Sequence, residues 1–237
     1  MGGEMQAVGR AEAESLINWW QEAGVGAPVG ESPRDWLKAV SRPAASDLPS
    51  APNVAEPSHE TLSELRDWLA SSVQLPLASA TAKRILPHGP ENAAVMLLSD
   101  APSLEDFASG QPMGGEAWKL AGKMLSAIGL DSDQAYSASL SFFPTPGARR
   151  MSDDDRAASA EIARKQIALV KPERLILFGD APARALLGEP LTRARGRVHR
   201  IEGIRTIATF HPRWLLQRPS DKALAWRDLL LLMSESD

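Results

Sequence analysis

The chain contains no cysteine. That absence removes disulfides, thiolate metal sites and cysteine nucleophiles together, so any chemistry is carried by oxygen and nitrogen groups. A cationic leader followed by an apolar core is missing too, and no apolar run approaches the roughly 20 residues of a membrane span. A soluble, cytoplasmic protein with no membrane partner is expected. Repeats of solenoid length and low-complexity tracts are lacking. Strong net charge is absent as well: 26 Lys and Arg against 30 Asp and Glu leave −4. That balance argues weakly against a nucleic-acid partner, and local clustering has to decide the point.

What is present is a globular composition: 237 residues, 43% of them apolar, enough for one α/β domain and an appendage. Residues 1–40 carry two short helical patterns, "AEAESLINWWQE" and "SPRDWLKAV", read as an N-terminal extension. Residues 41–58 are rich in proline, alanine and serine with no apolar period, the composition of a linker. Residues 59–237 form the domain. After a helix at about 59–71, short apolar runs alternate with longer amphipathic ones. "AAVMLLSD" (93–100), "AYSASLSFF" (135–143), "RLILFGD" (174–180) and "IRTIATF" (204–210) read as strands. "GEAWKLAGKMLSAIG" (115–129), "DDDRAASAEIARKQIALV" (153–170), "APARALLG" (181–188) and "KALAWRDLLLLM" (222–233) read as helices. Such alternation predicts a parallel sheet covered on both faces, with the ligand beyond the carboxyl ends of its strands. That rule points to Asp100, the segment 139–147, Asp180 and His211.

Each position has a local structural reading and a chemical one. Asp100 and Asp180 both precede Ala-Pro after an apolar strand, which is how a helix N-cap looks; one of the two carboxylates is also a candidate for catalysis. His211 is either a hydrogen-bonded turn residue or a donor to a developing anion, held by Pro212. Arg193, Arg195, Arg197 and Arg200, then Arg205, Arg213, Arg218 and Lys222, form a basic tract. It reads as a solvated surface or as a set of phosphate contacts.

In order along the chain, these segments resemble the uracil-DNA glycosylase superfamily, most closely its iron-sulfur branch, over residues 72–233. Ser99-Asp100-Ala101-Pro102-Ser103 resembles the branch's Gly-Glu-Ala-Pro-Gly. Gly110-Gln111-Pro112-Met113-Gly114-Gly115 resembles Gly-Arg-Pro-Phe-Val-Gly. "YSASLSFFPTPGARR" is similar to Tyr-Ile-Thr-Asn and its Arg-Pro-Pro-Gly-Asn-Arg loop, and "TFHPRWLLQRPSDK" to Tyr-His-Pro-Ser-Tyr-Leu-Leu. The resemblance implies a three-layer α/β/α fold with a central four-stranded parallel sheet, and a monomer acting on DNA. It assigns catalysis to Asp100 and His211, and base contacts to Ala101, Pro102, Met113 and Ser139. DNA contacts fall to Arg193, Arg195, Arg197, Arg213, Trp214 and Leu215, the last three placed to enter a groove. No metal or other cofactor is expected: Ser72, Leu75, Phe143 and Ser159 stand where the branch has its four cluster cysteines. Packing is the expected replacement for that staple.

Three pocket substitutions set this chain apart from the branch: Asp100 for glutamate, Met113 for the phenylalanine that stacks on uracil, and Ser139 for the asparagine that reads its edge. A serine cannot present the paired amide pattern. The leading expectation is a glycosylase for a deaminated base, uracil first and hypoxanthine next. A DNA-binding relative without catalysis, and an enzyme acting on a free nucleoside or nucleotide, are the alternatives.

Overall fold

The computed structural model describes residues 59–78, 83–144 and 152–234. The N-terminal helical patterns, the linker and most of the loop after Phe143 lie outside those residues. The elements are α1 (Leu62–Ser71), β1 (Val95–Ser99), α2 (Leu104–Ser109), α3 (Gly115–Ala127) and β2 (Ala135–Ser139). They continue with α4 (Asp153–Val170), β3 (Arg174–Phe178), α5 (Asp180–Leu187), α6 (Leu191–Ala194), β4 (His199–Ile201), β5 (Ile204–Thr209), α7 (Pro212–Gln217) and α8 (Lys222–Met233). None of the described helices is long and apolar enough to cross a membrane.

The sheet runs β2-β1-β3-β5-β4, with its first four strands parallel. All five residues of β1 and of β2 are buried, as expected for strands covered on both faces. The fifth strand goes beyond the sequence expectation. β4 pairs antiparallel with β5 through a tight turn at Glu202 and Gly203, both at positive φ (49° and 78°). Its sequence, His-Arg-Ile, lies in the basic tract and lacks the apolar run that marks a buried strand, because an edge strand need bury only part of itself. The four-strand expectation thus describes the parallel part of the sheet.

Alternation along each strand separates the two layers. Met96, Leu98, Tyr136, Ala138, Leu175, Leu177 and Ala208 face one apolar cluster, shared with α1, α4 and α5. Val95, Leu97, Ala135, Ile176, Phe178 and Ile207 face the other, with Met113, Ala117, Ala121 and Leu125 from the α3 side and Leu229 and Leu232 of α8. Helix α4 is started by the Ser152 side chain, which accepts the Asp155 N–H, and by three aspartates in its first turn that oppose the helix dipole.

The four cluster positions of the iron-sulfur branch hold no thiolate here. Leu75 and Phe143 are buried in one apolar cluster. The Arg84 guanidinium lies 5.4 Å from the Phe143 ring centroid and donates to the carbonyls of Leu69 and Ser72 at the end of α1. Ser159 is buried, and the Ser72 hydroxyl accepts the Gln74 N–H. This donor set fits apolar packing and a cation–aromatic contact, not an iron-sulfur cluster.

Candidate active site

Four parallel strands end on the same edge of the sheet, and the connections leaving that edge carry the candidate residues. Beyond β1 and β2 the pairing continues for one more step. Leu140 N–H donates to Ser99 O and Ser141 N–H to Asp100 O, both at 3.0 Å. Asp100 therefore leaves the sheet with its backbone anchored and its side chain exposed. Its carboxyl is nevertheless pushed above the usual aspartate range, first by the desolvation of the walls around it and then by the charge of Asp180. Asp180 follows β3 through Gly179, whose φ of 98° only glycine adopts freely. Burial opposes ionisation of Asp180, but the Arg184 guanidinium and the Leu191 N–H outweigh it, and Asp180 is held below its ordinary range.

His211 sits after β5 as the N-cap of α7, with Pro212 at the first helical position. Its Nδ1 accepts the Arg213 N–H at 3.0 Å, so in the neutral ring the proton is assigned to Nε2. Burial, with Arg213 beside it, lowers the imidazole to about 3, against a weaker upward pull from Asp106. The ring is neutral at physiological pH. Nε2 is buried and has no hydrogen-bond partner among the described residues. The ring also meets Phe178 edge-on at 6.0 Å.

The Met113 loop is fixed on both sides. Pro112 O accepts the Ser137 hydroxyl at 3.2 Å, and Gly114 N–H donates to Asp106 at 2.6 Å. Between them Met113 takes φ 60°, uncommon for a side chain of its size, and is fully buried. Ser139 ends β2 with its hydroxyl 2.9 Å from that of Ser99, where either can be the donor. Ala101 is half-buried and Pro102 buried between Asp100 and α2.

Two buried carboxylates outside the sequence-based candidates hold these pieces together. Asp106, 1% exposed, accepts the Ser103 N–H at 2.8 Å, the Gly114 N–H, and Arg213 Nη2 on both oxygens at 2.7 and 2.5 Å. It therefore joins the Asp100, Met113 and His211 segments. Asp228, also 1% exposed, accepts the Thr209 hydroxyl, Arg195 Nη2 and the Gly196 N–H. The sequence does carry a signal for it: Asp228 is the single acid inside the apolar "WRDLLLLM". Asp106 gives none beyond an acid in the first turn of a short helix.

The proposed DNA contacts divide. Arg193 is exposed on α6. Arg197, on the loop before β4, pairs with Glu189. Arg195 is turned inward to Asp228 and lies 4.5 Å from the Phe210 ring centroid, and Arg213 is tied to Asp106. Both are structural ion pairs, because a carboxylate buried at 1% needs a cation. Leu215 is corrected outright. It is 1% exposed and packs between α3 and α8, so it does not project as a wedge. Trp214 remains at the surface, 39% exposed, stacked on Phe210 at 6.3 Å, with Arg218 over its ring at 4.5 Å and its indole N–H on Asp221.

The carboxyl edge of the parallel sheet thus carries the His211 imidazole and the Asp100 carboxylate. A sequence profile of the uracil DNA glycosylase superfamily matches residues 86–230, and the chain belongs to that superfamily. Among its relatives are proteins described as type-4 uracil-DNA glycosylases. The one from Archaeoglobus fulgidus is 24% identical over 141 residues, covering 55% of this chain and 71% of the relative. The one from Pyrobaculum aerophilum is 24% identical over 180 residues, 72% and 92% of the two chains. A DNA polymerase of Bacillus phage SP01 is 26% identical over 149 residues, where 62% of this chain spans 16% of that protein.

Proposed function

We propose that this chain acts on DNA as a glycosylase of base-excision repair, hydrolysing the bond between deoxyribose and a deaminated base, with uracil the first candidate and hypoxanthine the next. Membership of the superfamily and the names of its type-4 relatives support a glycosidic hydrolase. The observation that carries the reading is the buried Nε2–H of His211, a donor without a partner among the described residues, on a ring fixed by its other nitrogen.

In the proposed reaction the bond between C1′ and the base nitrogen breaks with its electron pair leaving on the base. Negative charge appears on a base oxygen, and the sugar becomes cationic. A neutral imidazole stabilises the oxygen by donating a hydrogen bond, without giving up a proton and without reorganisation at that moment. Asp100, ionised, faces the cationic sugar and orients a water whose oxygen adds to C1′; the proton released passes to the carboxylate or to solvent. The base must first leave its stack, at a cost of a few kcal/mol. Ser99 and Ser139 offer the base edge one reversible hydroxyl pair in place of an amide, a chemistry that suits more than one base.

A binding module without catalysis is the second reading. It is favoured by one observation: Met113 and Ser139 are 0% and 2% exposed, so the base must displace the walls it enters. The deciding experiment uses single- and double-stranded oligonucleotides carrying one uracil or one hypoxanthine, followed by alkali. Scission that drops at least tenfold in His211→Ala and in Asp100→Asn supports the glycosylase. Salt-sensitive binding with no abasic product supports the module.

A further inference from the structure

The arginines singled out by the sequence are mostly engaged within the fold, yet another set of cations lines an open groove. It runs between α3, α7 and the start of α8, with a volume of about 910 Å³, and its walls include Trp118, Lys119, Leu120, Lys123, Leu216 and Lys222. Lys119, Lys123 and Lys222 are exposed. The acid among the lining residues, Glu116, is paired with Lys119 at 2.6 Å. The groove lies along the two helices that leave the candidate site: α7 follows His211 directly, and α3 starts two residues beyond Met113. A strand leaving that site meets the groove next.

Its chemistry is that of a single strand. Half-buried Trp118, with Leu120 and Leu216, gives an apolar surface that exposed bases can cover, and the lysines supply point charges at the rim. A duplex presents phosphates outward and has no use for an apolar floor. We propose that this groove holds the unpaired DNA flanking the target nucleotide, with Lys123 and Lys222 on its phosphates and its bases against Trp118 and Leu216. The inference takes the identity of its partner from the glycosylase reading.

The test is anisotropy of an undamaged single-stranded oligonucleotide over a salt series, with the full chain and its Lys123→Gln/Lys222→Gln variant. Both side chains are exposed, so the fold is not at stake. The slope of log affinity against log salt should fall by about 1.4, which is about 0.7 for each single-strand phosphate that a lysine no longer neutralises. Lys165→Gln, on α4 across the sheet, should keep the wild-type slope. In a second series of oligonucleotides carrying one uracil, the deficit of the double variant should grow as the arm beside that uracil is lengthened nucleotide by nucleotide. An unchanged slope, an equal fall in Lys165→Gln, or a deficit independent of arm length would overturn the proposal. So would poly-glutamate of matched charge competing as well as DNA, which would assign the groove to an acidic protein. Failure to excise any base would remove the glycosylase reading while leaving these binding slopes to decide the groove.

Discussion

One nitrogen of Arg213 reaches both carboxylate oxygens of Asp106, 107 residues earlier in the chain, at 2.7 and 2.5 Å. The pair joins the α2 turn to the N-terminus of α7. Ser103, Gly114 and Arg213 all depend on this one carboxylate, whereas the carboxylate keeps two backbone donors when the guanidinium is removed. Asp106→Ala removes the acceptor of Ser103, Gly114 and Arg213 together and is expected to lower stability by about 3 kcal/mol or more. Arg213→Ser introduces the serine of the iron-sulfur branch's His-Pro-Ser motif and leaves Asp106 its two backbone donors. A smaller loss is expected. Urea midpoints of the two variants check the order, and an Asp106→Ala midpoint equal to wild type would remove Asp106 as the organising residue.

His211 couples stability to pH. Its folded value, about 3, lies below the unfolded 6.5, so the unfolded chain binds the proton first as pH falls. The contribution of this group is complete above about 6.5 and is lost progressively down to about 3, with a slope of up to about 1.4 kcal/mol per pH unit. His211→Asn should flatten that part of the profile. In wild type, activity should show no histidine titration near neutral pH; a rate limb near 6.5 that vanishes with His211 would contradict the neutral donor.

Asp100 should give the acid limb of the rate profile, above the ordinary aspartate value because desolvation by the surrounding walls and the Asp180 charge both raise it. Removing the Asp180 charge with Asp180→Asn takes away one of these causes. The limb should then move to lower pH, while the plateau persists. A limb that stays in place assigns the titration to another group.

Phe143→Ala tests the packing at a position that the resemblance to the iron-sulfur branch assigns to a cluster ligand. The ring is 1% exposed and carries the Arg84 contact. Truncation of a buried phenylalanine typically costs about 3–5 kcal/mol. Calorimetry should place this variant well below Phe107→Ala, whose ring is only half-buried under the Lys83 ammonium.

Much of the architecture is legible in the sequence because buried parallel strands are short apolar runs and their helices carry clear starts. Helices α4 and α8 occupy the segments 153–170 and 222–233 that their patterns mark out. β4 escapes, since an edge strand with arginine and histidine has no pattern of its own. In the site, Asp100 and His211 stand out because each ends an apolar run at a proline step. The roles of Arg195, Arg213 and Leu215 do not, because nothing local says which way a side chain turns. Arg213 looks like a phosphate contact until Asp106 is seen beneath it, and Leu215 like a wedge until α3 and α8 close over it.

Asp228 lies in the final helix, yet it accepts the hydroxyl of Thr209 at the end of the strand that delivers His211. The strand, the Arg195 turn and the stacked Phe210 thus depend on a residue made late in synthesis. The final helix therefore serves as the anchor of the strand that carries the candidate donor, and a chain cut before α8 is expected to lose that anchor together with the Leu229 and Leu232 layer beneath the sheet.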